Sequence, residues 1–124
     1  MKDGIVVGTG VHRGAGTAHA EVEALATAGA GTHEADLYVS LEPCSHFGRT
    51  PACTQLIIDA GIARVFYAQD DPTSEAGGGA GVLRNAGLEV VGGFDSALSF
   101  ALNREWNHRI VTGMPFVTWK FAQS

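Results

Sequence analysis

The apolar positions change period along the chain, and the changes mark out its elements. "GIVVGTGVHR" is rich in valine and is closed by the polar turn "GAGTA", which predicts a strand over Gly4 to Val11. "HAEVEALATAG" is built of good helix formers and ends in Gly29, so a helix is expected from near His19 with Gly29 as its C-cap. "ADLYVSLE" reads as a buried strand. Pro43 follows it, and "PACTQLIIDAG" reads as a second helix with Pro51 near its first turn and Gly61 closing it. "ARVFYAQ" is a further strand, "DDPTSEAGGG" a loop, "AGVLRNAG" a short helix and "LEVVGG" another strand. "SALSFALNREWNHRI" has the spacing of one amphipathic helix, and "MPFVTWKFA" ends the chain as an extended segment. Strands alternating with helices predict an α/β fold, three layers deep, around a mixed but largely parallel sheet. There is no internal repeat.

Bulk composition narrows the partners more than the fold. A chain of 124 residues, 45% hydrophobic and 17% charged, suits one domain with its own core. No apolar run is long enough to cross a bilayer, so no membrane role is expected. "MKDGIVVGTG" lacks the long apolar segment of a signal peptide, which makes a reducing cytoplasm the expected setting. A structural disulfide is disfavoured there. The formal net charge is −5, and eight Lys and Arg residues are scattered without a basic stripe. Long nucleic acid is therefore not the expected partner, because phosphate neutralisation supplies most of such affinity. One phosphate on a small substrate needs only one or two cations. The charge balance points to a small molecule.

The only two cysteines, Cys44 and Cys53, lie in "LEPCSHFGRTPAC" with eight residues between them. They can be a disulfide, a redox pair or two thiolate ligands. His19 and Glu21 stand two apart at the start of the first predicted helix, and the cysteines frame the start of the second. One imidazole and two thiolates suit Zn²⁺, which in catalytic sites keeps a fourth position for water and lowers that water's pKa. Glu21 is poorly placed as a ligand and better placed to carry the water's proton to a departing amine. This is the H-x-E…P-C…C logic of zinc-dependent nucleobase deaminases, although their general pattern sets the cysteines closer together. The pair reads as a metal clip.

The segments "HAEVEAL", "YVSLEPCSHFGRTPAC", "GIARVFYAQDDP", "AGGGAGVLRNAGLEV" and "TGMPFVTWKFAQS" closely resemble the deaminase domain of bacterial bifunctional riboflavin-biosynthesis enzymes. These diaminohydroxyphosphoribosylaminopyrimidine deaminases belong to the cytidine-deaminase-like superfamily, and the likeness runs over essentially the whole chain. It implies His19, Cys44 and Cys53 as zinc ligands and Glu21 as the proton shuttle. It also implies His12, His46, Arg49 and Asp71 as contacts to a phosphorylated ribosylaminopyrimidine. Arg49 would be the phosphate anchor. The residues taken alone also allow plainer roles: His46 as a brace of its loop, His12 as a solvated strand-end residue, Asp71 as a turn residue before Pro72. Thr73 stands where the family turn D-P-N carries Asn, which removes one amide from that contact.

The implied activity is hydrolytic deamination of 2,5-diamino-6-(ribosylamino)-4(3H)-pyrimidinone 5′-phosphate. The alternatives are a cytidine, guanine or tRNA-adenosine deaminase, or an inactive truncated zinc-binding domain. The domain is expected over residues 1–115, with 116–124 leading towards a reductase. A reductase on a separate chain and self-association both remain open. Family members begin with a helix and a strand carrying N-P-x-V-G, which this sequence lacks. The lost strand would lie between Gly4–Val11 and Asp36–Glu42, so unpaired backbone is expected on both.

Overall fold

The computed structural model describes residues 1–46, 51–73 and 77–123. Helix α1 (Ala20–Ala28) is followed by a 3-10 turn (Gly29–Thr32), strand β1 (Asp36–Leu41), helix α2 (Cys53–Asp59) and strand β2 (Arg64–Gln69). Helix α3 (Gly79–Asn85), strand β3 (Glu89–Gly92), α4 (Ser96–Leu102) and α5 (Arg104–Thr112) complete the order. Gly29 ends α1 at φ 53°, as its sequence position predicts.

The three strands form one parallel sheet in the order β1-β2-β3, with Leu37 beside Val65 and Val65 beside Val90. Strand β1 alternates, and its Leu37 and Val39 face the core while Tyr38 faces away. The central strand β2 reads "RVFYAQ", a nearly continuous apolar run, because both of its faces are covered. On one face Val65 meets Ile57 of α2 and Leu83 of α3, all three with no exposed surface. The other face carries Tyr38 stacked on Phe66 at 4.7 Å, Phe94 edge-on to both, and α4. The expected α/β layering is therefore present.

Two expectations need correction. Residues 4–11 form no ladder; among the described residues the antiparallel component is a single bridge between Lys2 and Ile5. No strand of the described residues lies beside the segment. The segment lies on α1, where a Cβ on Gly8 or Gly10 would sit 2.4 Å and 2.0 Å from the carbonyl oxygens of Ala24 and Ala20. Its other side opens onto a cavity of about 860 Å³ that reaches the free edge of β1. Among the described residues Met1 bridges across, its carbonyl accepting the Asp36 N–H at 2.7 Å. The single helix expected from Ser96 onward is two, broken at Asn103, whose backbone N–H closes α4 on Ser99 O and whose side chain donates to Ser99 Oγ. The terminal "MPFVTWKFA" lies outside every helix and strand of the described residues.

Candidate active site

Parallel strands deliver their following loops to one edge of the sheet, where α/β proteins place their sites. Here β1 delivers Glu42, Pro43 and Cys44, and β2 delivers Gln69 to Asp71. His19 is the N-cap of α1 with extended backbone (φ −70°, ψ 157°), and its side chain makes no capping bond. It turns instead to the cysteines. His19 Nδ1 lies 3.2 Å from Cys53 Sγ and 3.6 Å from Cys44 Sγ. The three ligand atoms all fall within 4.8 Å of one another. Cys53 is the first residue of α2, and its backbone N–H donates to Cys44 Sγ at 3.4 Å.

Both thiols are buried and neither is in a disulfide. Hydrogen bonding from the Cys53 side chain pushes Cys44 down to about 5, helped by the Cys53 backbone N–H and the His19 charge. The same bond, with burial and the nearby Glu21 charge, pushes the Cys53 thiol up. Two sulfurs so arranged suit a soft or borderline cation, whose binding releases the protons of its thiol ligands. One half-buried imidazole nitrogen and two buried sulfurs, convergent, fit a three-ligand zinc site with one position left over.

Glu21 sits in the first turn of α1 and is 9% exposed. Burial pushes its carboxyl above the usual range, opposed by a backbone hydrogen bond and the neighbouring His19. It does not join the three-ligand set. A carboxyl beside the ligands with raised proton affinity has the properties of a general acid and base.

The outer positions divide. The His12 ring stands edge-on to His19 at 5.4 Å between centroids, and its Nδ1 lies 3.0 Å from Ala18 O, which puts the ring proton on Nδ1. His46 is exposed at the wall of the large cavity, which His12, Glu21 and Asp71 also line. Asp71 Oδ1 accepts the Thr73 N–H at 2.8 Å and the Thr73 hydroxyl at 2.6 Å. Arg49 lies outside the described residues. Sequence reasoning passed over Glu42, a buried carboxylate one residue before Pro43, and Asn103 and Trp106, which also line the cavity. For Glu42 the signal was an acid at the end of a buried strand. Asn103 and Trp106 carried no local signal, because chain reversal after β3 brings them in.

The profile of the "Cytidine and deoxycytidylate deaminase zinc-binding region" matches residues 1–69. The chain is 48% identical over 120 residues to the riboflavin biosynthesis protein RibD of Bacillus amyloliquefaciens, covering 96% of this chain and 32% of that protein. It is 46% identical over 123 residues to RibD of Mycobacterium tuberculosis, covering 98% and 36%. Among solved structures, Acinetobacter baumannii RibD superposes with a TM-score of 0.87 at 42% identity, covering 93% of this chain and 33% of that one. The diaminohydroxyphosphoribosylaminopyrimidine deaminase/5-amino-6-(5-phosphoribosylamino)uracil reductase of Thermotoga maritima gives 0.86 at 34%, covering 93% and 34%. The chain thus spans about a third of the length of the curated relatives it matches.

Proposed function

The chain belongs to the family of the cytidine and deoxycytidylate deaminase zinc-binding region, and from that premise we propose that it is a zinc-dependent deaminase of a phosphorylated diaminopyrimidine. The reading supported best is hydrolytic deamination of 2,5-diamino-6-(ribosylamino)-4(3H)-pyrimidinone 5′-phosphate. It draws on the RibD relatives and on the deaminase named for the Thermotoga maritima structure. The observation that carries it is the convergence of His19, Cys44 and Cys53 within 4.8 Å beside a buried Glu21.

His19, Cys44 and Cys53 would hold zinc, which when bound supplies an activated water. Glu21 accepts that water's proton, passes it to a ring nitrogen and delivers a proton to the departing amine. The net change is one C–N bond exchanged for C–O, with ammonia released. His12 and Asp71 line the approach and orient the ring, while His46 and Arg49 take the phosphate. Among the described residues no helix is long and apolar enough to cross a membrane. The reduction that accompanies this step in the bifunctional relatives would come from another polypeptide segment.

The test is ammonia release from the phosphorylated diaminopyrimidine by purified zinc-loaded protein, with cytidine as comparison. Turnover of the first and not the second is expected. Absence of turnover at full zinc occupancy would overturn the reading.

A further inference from the structure

Glu42 lies between β1 and Cys44 and is 7% exposed. Its Oε1 accepts the Ala80 N–H at 2.8 Å and its Oε2 accepts the Asp71 N–H at 3.3 Å. One buried carboxylate therefore ties the strand end that carries Cys44 to two separate pieces of chain. Its own backbone N–H donates to Gln69 O at 2.8 Å, so the junction is rigid on the strand side as well. Neighbouring contacts tighten the same junction. Ser45 Oγ donates to Gly77 O at 3.0 Å, and Gly79 presses on Pro43 so closely that a Cβ would stand 1.8 Å from its carbonyl oxygen.

We propose that Glu42 is a positioning residue: it holds the Asp71 turn at a set distance from the ligand-bearing loop, so that Asp71 meets the substrate ring. The inference rests on the deaminase reading, since it needs Asp71 to face substrate in the cavity shared with Glu21. A carboxylate is the side chain suited to the task, because it offers an acceptor to each of two converging N–H donors. An amide offers one acceptor and opposes the second donor with its own NH₂. In Glu42→Gln the carbonyl keeps the shorter Ala80 bond, and the Asp71 turn is released.

The experiment compares the wild type, Glu42→Gln and Glu42→Asp, each as the full chain loaded with zinc. The expected result for Glu42→Gln is a KM raised about tenfold, kcat within threefold, and zinc content unchanged. Asp71→Asn added to Glu42→Gln should raise KM little further, since both act on one contact. Amide hydrogen exchange should show Asp71 protected in the wild type and faster in Glu42→Gln, with Ala80 still slow. A merely structural Glu42 gives the opposite split: kcat falls with the folded fraction and KM stays fixed. That split, additive effects with Asp71→Asn, or recovery of neither variant as folded protein would each overturn the proposal. If the wild type fails to turn over the pyrimidine, the deaminase reading fails first. The exchange of Asp71 then still decides whether Glu42 holds the turn.

Discussion

Replacing Gly79 by Ala probes the joint between α3 and the ligand loop. A Cβ at Gly79 would lie 1.8 Å from Pro43 O, 3.0 Å from Pro43 C and 3.1 Å from Thr54 Cγ2. The obstructing atoms are mainly backbone, so no side chain can rotate aside. Reaching ordinary contact requires the two segments to part by roughly 1.5 Å. That movement draws Ala80 N away from Glu42 and carries Pro43, and Cys44 after it, off the Cys53 N–H. Overpacking costs about 1–3 kcal/mol, and a weakened hydrogen bond to a buried carboxylate adds about 1–3 kcal/mol. The sum is about 2–6 kcal/mol. With roughly 2.1 cal/mol/K of unfolding entropy for each of the 124 residues, Tm should fall by about 8–23 °C. Gly81, two positions along the same helix, has nothing within 4 Å of its would-be Cβ. Gly81→Ala should therefore raise Tm by about 2–4 °C through helix propensity alone. Calorimetry of both variants, with zinc retention after dialysis against a mild chelator, provides the comparison. A Gly79→Ala protein melting within about 2 °C of its parent and holding its metal equally well would refute the reasoning.

Two further outcomes follow from the packing. Gln69, 3% exposed, pairs amide to amide with Asn107 at 2.5 and 3.2 Å, so Asn107→Ala should destabilise by about 1–3 kcal/mol in urea titration, and Gln69→Ala on top should add little. Fusing an extended apolar strand ahead of Met1, able to run between residues 6–11 and the free edge of β1, should raise Tm by several degrees; an unchanged Tm would mean that the edge needs no partner.

Local chemistry made much of the fold and the central site legible. Val65, Phe66 and Tyr67 announce a buried strand by their unbroken apolarity, and Gly29 announces a helix end. His19, Cys44 and Cys53 are all placed at a helix start or just after a strand, where backbone geometry aims side chains at one edge of the sheet. Their donor types then suggest the metal. The rest depended on contacts distant in sequence. The valine pattern of residues 4–11 is that of a strand, yet a ladder needs a neighbour that no local pattern supplies. The break at Asn103 is set by a side-chain bond to Ser99 that helical periodicity does not register. Glu42 looks like a strand-end acid until Asp71 and Ala80, 29 and 38 residues away, are seen to donate to it.

The most direct test of the site's chemistry is a paired measurement of zinc content and ammonia release in the wild type and Glu21→Gln. About one zinc per chain is expected in both, with release of ammonia lost by at least ~10²-fold in the variant, because the exchange removes a proton carrier and no ligand. Loss of zinc from Glu21→Gln, or full activity without the carboxyl, would contradict the roles assigned to His19, Glu21, Cys44 and Cys53.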